Sequence, residues 1–124
     1  MPIKKILIVD DSPTERHILT QILASGGYEI SSAESGEEGI ERAKQILPDL
    51  IIMDVVMPGT NGYQATRALS KNESTKNIPV IMCTTKGQET DRIWGIRQGA
   101  QDYIVKPVVR EDLLARIAKL SESH

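Results

Sequence analysis

Asp10-Asp11, Asp54, Thr84-Thr85 and Lys106-Pro107 each follow directly on a short apolar run. If those runs are neighbouring strands of one parallel sheet, their carboxyl ends share a rim, the place where open α/β sheets hold their chemistry. Three carboxylates, two hydroxyls and an ammonium then converge there. Carboxylates do not gather unaided. At an effective dielectric of about 20, two like charges about 4 Å apart repel by about 4 kcal/mol. Three such pairs reach on the order of 10 kcal/mol, comparable with the stability of a whole domain. Lys106 offsets part of this, and the remainder calls for raised carboxyl pKa values or a bound cation. Oxygen donors with no His or Cys pair nearby favour a hard ion, Mg²⁺ first, which keeps several waters and completes its shell with a phosphoryl oxygen. Taken singly, Asp10, Asp11 or Asp54 is as well read as a helix cap at a strand end. Together with Thr84 and Lys106, each at its own strand end, they read as a site.

The positioning elements follow from the pattern of apolar residues. Runs begin at residues 5, 28, 50, 79 and 103. Those at 5–9, 50–53 and 79–83 are continuous and aliphatic, as strands covered on both faces should be. The run at 28–32 alternates and carries two Ser, which suits a more exposed strand near an edge. A segment with helical spacing follows each run. Ser12-Pro13 caps and opens the first, with Ile18, Ile22 and Leu23 inward, and Gly26-Gly27 stops it. Ser35-Gly-Glu-Glu38 is a capping-box pattern ahead of Ile40, Ala43 and Leu47, with Pro48 as the stop. Asn61 caps a third helix carrying Ala65, Ala68 and Leu69. A fourth covers about 89–98, with Ile93, Ile96 and Ala100 as the inward stripe and Trp94 beside it. A fifth runs from Glu111 through Leu114, Ile117 and Leu120. Strict alternation of strand and helix means parallel strands joined by right-handed crossovers, hence an α/β sheet with helices on both faces.

Composition bounds what such a sheet can be used for. The chain has 124 residues and a formal charge of −2, which argues against a nucleic-acid binder, normally strongly basic. One expects a single domain over 1–124 with no output domain, because only Ser121-Glu-Ser-His124 follows the fifth helix. The lone Cys83 forms no internal disulfide, so a reducing, cytoplasmic setting is expected. No apolar run approaches the ~20 residues of a membrane span. With three Tyr, one Trp and no Phe, the core must be aliphatic.

The stretches Ile6-Leu-Ile-Val-Asp-Asp-Ser12, Ile51-Ile-Met-Asp-Val-Val-Met-Pro-Gly59, Pro79-Val-Ile-Met-Cys-Thr84 and Gly99-Ala-Gln-Asp-Tyr-Ile-Val-Lys-Pro107 resemble the receiver domains of two-component response regulators, the CheY-like family. The resemblance spans the chain in order and spacing. It implies a flavodoxin-like (βα)5 doubly wound fold with strand order 2-1-3-4-5. It implies that Asp54 is the phosphoacceptor and that Asp11, Asp54 and the backbone carbonyl of Val56 ligate Mg²⁺, with Asp10 acting through water. Lys106 and Thr84 would bind the phosphoryl group, Tyr103 would be the switch aromatic, and the Lys106-Pro107 peptide would be cis. The opening Asp10-Asp-Ser-Pro-Thr-Glu15 and the stretches 53–67 and 84–99 further resemble receivers of the chemosensory system for type IV pilus twitching motility. That implies a CheA-type histidine kinase upstream and pilus machinery downstream, bound through the fourth helix, fifth strand and fifth helix. A flagellar-motor regulator is the runner-up.

Two other classes fit less well. A phosphohydrolase of the haloacid dehalogenase type wants a second Asp two residues after its nucleophile, and that place is Val56. A flavodoxin-like cofactor carrier wants Ser, Thr and Gly after its first strand, where Asp10-Asp11 would repel phosphate. A switch that accepts phosphate without being an enzyme fits better. Val56 and Lys86 then line the approach to Asp54, and the methyl of Thr85 narrows it. Cys83 and Met53, Met57 and Met82 read as packing, and His17 as a surface residue. Trp94 is either a binding hot spot or folded flat over Gly95.

Overall fold

Residues 2–123 are described by the structure, a computed structural model; Met1 and His124 lie outside them. The strands are β1 (Lys5–Val9), β2 (Glu29–Ala33), β3 (Leu50–Met53), β4 (Val80–Thr84) and β5 (Asp102–Val105). The helices are α1 (Pro13–Ser25), α2 (Gly36–Ile46), α3 (Gly62–Lys71), α4 (Glu89–Arg97) and α5 (Arg110–Ser123). The strands pair in parallel in the order β2-β1-β3-β4-β5, so the alternating, Ser-bearing run is indeed an edge strand.

The period-2 alternation of strand side chains divides the core in two. Ile6, Ile8, Leu50, Ile52, Ile81, Cys83 and Ile104 face α1 and α5 and pack on Leu19, Leu23, Leu113 and Ile117. Leu7, Val9, Ile51, Met53 and Val80 face the other way, onto Ala43, Ala65 and Leu69 of α2 and α3. A small third cluster of Val55, Met82, Ala100 and Tyr103, with Tyr63 against it, lies at the β4–β5 end. The core is aliphatic, as the composition requires.

Several inward assignments need correction. Ile18 is 41% exposed, and Leu19 takes its place beneath α1. Leu47 is exposed because it adopts the left-handed conformation, φ 47°, that ends α2 ahead of Pro48. Ala68 faces out while Thr66 is buried, and in α5 Leu113 is buried more deeply than Leu114. The largest departure is α4. Ile93 and Ile96 are 44% and 42% exposed, and Gly95 is the residue that meets the sheet. A Cβ on Gly95 would lie 2.8 Å from Met82 Sδ and 3.0 Å from the Tyr103 ring, so the helix backbone itself rests on the sheet. The isoleucines on either side are thereby held outward.

Candidate phosphoryl-transfer site

Register brings the acidic residues together. Val9 is paired with Met53, so the residues that follow them, Asp10 and Asp54, emerge side by side from adjacent strands. The ladder continues one step further, Asp54 N–H donating to the Val9 carbonyl at 2.9 Å. By alternation Asp10, Asp54 and Lys106 lie on the α1/α5 side of the sheet, and Thr84 shares the opposite parity with Met82, toward α4. Close packing fixes the floor. Gly62, at the start of α3, lies against the Asp54 carbonyl so closely that no side chain fits there.

Asp10 is 1% exposed and fully engaged. Its Oδ1 accepts from Ser12 N–H at 2.9 Å, its Oδ2 from Lys106 Nζ at 2.9 Å, and its carbonyl from Arg16 Nη1 at 2.7 Å. Asp54 is 8% exposed; its Oδ1 accepts from Val55 N–H at 2.8 Å and its Oδ2 lies 3.8 Å from Lys106 Nζ. Burial and the neighbouring Asp10 charge push the Asp54 carboxyl above its ordinary pKa, against the pull of Lys106. Burial alone would lower the Lys106 pKa, but the Asp10 hydrogen bond, with Asp54 and Glu15, more than reverses this and keeps it a cation. Asp11 is exposed, and carboxylate oxygens of Asp10, Asp11 and Asp54 lie within 4.8 Å of one another. An all-oxygen set so close, with one ammonium among three carboxylates, suits a hard divalent cation such as Mg²⁺. Lys106-Pro107 is cis.

Toward α4 the site is built from different groups. Thr84 is fully buried, and its Oγ1 accepts from Lys86 N–H at 3.3 Å. The carbonyl of the same Lys86 accepts from the Tyr103 phenol at 2.7 Å, so one residue couples Thr84 to Tyr103. Tyr103 is 4% exposed, and burial, then the adjacent Tyr63 phenol, raises its pKa well above the ordinary range. The Lys86 ammonium reaches Asp91 at 3.8 Å. Trp94 is 50% exposed. Val56 and His17 are both exposed. Cys83 is buried, its thiol pushed up to about 12 by burial, which leaves it an inert packing residue.

The motifs alone do not reveal three participants. Tyr63 donates from α3 to the Asp91 carbonyl of α4 at 3.1 Å. Arg16 ties the Asp10 carbonyl to Glu34, 3.3 Å from its Nη2. Glu15 places a carboxylate oxygen 3.5 Å from Lys106 Nζ.

Known proteins resemble this chain in sequence and in fold. The chain is 56% identical to the protein PilH of Pseudomonas aeruginosa over 91% of its own length and 93% of that protein's. Among solved structures, the chemotaxis protein CheY4 of Vibrio cholerae superposes with a TM-score of 0.88 at 32% identity, covering 94% of this chain and 98% of that one. A receiver domain of a Pseudomonas aeruginosa sensor histidine kinase, whose active-site cleft coordinates a magnesium ion, superposes with a TM-score of 0.87 at 29% identity, covering 94% and 95%. The family description of the response regulator receiver domain matches residues 6–118, and with the 56% identity to PilH it shows that the chain belongs to the response regulator receiver domains.

Proposed function

We propose that the protein is a phosphorylatable switch that takes a phosphoryl group on Asp54 from a CheA-type histidine kinase and signals by altered protein binding. The observation that carries this is the placement of Lys106 Nζ, 2.9 Å from Asp10 and 3.8 Å from Asp54, beside the three clustered carboxylates. A carboxylate oxygen of Asp54 forms a bond to phosphorus as the bond to the phosphohistidine nitrogen breaks, and the imidazole leaves with the electron pair. Lys106, already charged and anchored, donates to a phosphoryl oxygen, and positioning with charge neutralisation is what this chemistry chiefly requires. Asp11, Asp54 and the Val56 carbonyl would hold Mg²⁺, with Asp10 acting through water; when bound, the ion supplies neutralisation of the phosphoryl charge.

Thr84 is the transmitter in this reading. Its hydroxyl turns to the phosphoryl group and gives up Lys86 N–H, whose carbonyl holds Tyr103. The exposed Trp94, with β5 and α5, forms the face for the downstream target. The 56% identity to PilH over 93% of that protein's length favours pilus machinery as that target, ahead of a flagellar motor. Nothing at Val56 supplies the general acid of a phosphohydrolase, which favours a switch over an enzyme.

Acetyl phosphate with Mg²⁺ is expected to add one phosphoryl mass to the intact protein, absent in Asp54→Asn and diminished in Lys106→Ala. An adduct that survives Asp54→Asn, or none in the wild type, defeats the reading. Transfer rates from purified kinases to the protein identify its pathway.

A further inference from the structure

The start of α1 carries a capping pattern whose second half is diverted. In a Ser-x-x-Glu start, the Glu ordinarily accepts the N–H of the cap residue. Gln64 serves Asn61 this way in α3, at 2.9 Å. In α1 the corresponding N–H is already taken, because Ser12 N–H donates to Asp10 Oδ1 at 2.9 Å. Ser12 Oγ still caps the helix by accepting from Glu15 N–H at 3.3 Å. The Glu15 carboxylate is released from the cap and leans over the rim to 3.5 Å from Lys106 Nζ, its side chain 35% exposed at the mouth of the site.

An anion approaching Asp54 therefore meets a fourth carboxylate, one that is ion-paired with the Lys106 ammonium at 3.5 Å. We propose that Glu15 is a specificity-determining charge, which holds small free phosphodonors bearing two negative charges away from Asp54. The proposal deepens the phosphoacceptor reading and rests on it. With acetyl phosphate, the Asp54 oxygen–phosphorus bond forms as the phosphorus–oxygen bond to acetate breaks; acetate leaves with the electron pair, and no proton has to move. Glu15 acts on the donor's approach and leaves the bond making to Asp54 and Lys106.

The test is the second-order rate constant for phosphorylation by acetyl phosphate with Mg²⁺, followed by intact mass. Glu15→Gln is expected to raise it about two- to fivefold at low salt, the effect of one partly screened charge. Glu15→Lys raises it further. Phosphoramidate, with one negative charge fewer, gains less, and the difference shrinks as salt shortens the Debye length to about 3 Å near 1 M. Both variants keep the Ser12 cap; Glu15→Gln should melt close to the wild type, whereas Glu15→Lys, a cation in the first turn beside Lys106, should melt lower, so Glu15→Gln carries the test. Equal rates in wild type and Glu15→Gln overturn the proposal, as does a gain indifferent to salt and donor charge. No adduct in the wild type, or one surviving Asp54→Asn, fails differently and removes the phosphoacceptor reading and the role of Glu15 together.

Discussion

Toward α1, the groups beside Asp54 are fastened from several directions; toward α4, they hang from two phenols. On the first side Asp10 is held at both carboxylate oxygens and at its carbonyl, and Lys106 is packed among carboxylates at 2.9, 3.5 and 3.8 Å. On the second, α4 touches the sheet through Gly95, while the Tyr63 and Tyr103 phenols hold Asp91 and Lys86 by their carbonyls. Each arrangement suits its task. Charges aimed at a transferring group must not reorganise during the transfer. An element that reports a state must be drawn from the low end of local stability.

The contrast can be broken most heavily at Lys106. Lys106→Ala leaves Asp10 buried without its cation and should cost about 3 kcal/mol in urea unfolding without Mg²⁺. The next effect belongs to Asp54 and depends on pH. Its folded-state pKa lies above the ordinary 3.8, so the folded protein keeps a proton that the unfolded chain gives up. Stability therefore falls as pH rises from the ordinary value through the raised one. Asp54→Asn should remove that slope and be more stable than wild type at neutral pH, the advantage closing toward acid. Equal pH dependence in both proteins would contradict this. Smaller again is Tyr63→Phe, about 1 kcal/mol for one hydrogen bond. The loss should appear in hydrogen exchange as faster opening of α4 with the α1 amides unchanged. Least of all on stability is Trp94→Ala, within about 0.5 kcal/mol for an exposed side chain. Its effect should fall on target affinity, and unchanged affinity would remove Trp94 from the binding face.

The two sides were also unequally legible. Asp10, Asp54, Thr84 and Lys106 announce themselves because unbroken aliphatic runs mark the strand ends, and parallel pairing aligns those ends. The stripe rule failed at α4 because it assumes that side chains make the contact, whereas here a glycine lets the backbone do so. Tyr63 was hidden because its partner, Asp91, is 28 residues away on another helix. Glu15 was hidden because its partner Lys106 lies at the far end of the chain, and the Ser12–Asp10 bond that leaves its carboxylate free to reach Lys106 is visible only in the folded loop.

Trp94 is the protein's single tryptophan, and it sits half-exposed on α4. Excited at the red edge of the protein's absorption, it gives an optical signal from that helix alone, with no dye attached. Water around half of the indole should place its emission toward the red. A partner that covers α4 would move it toward the blue, so binding could be followed in the native, unlabelled protein.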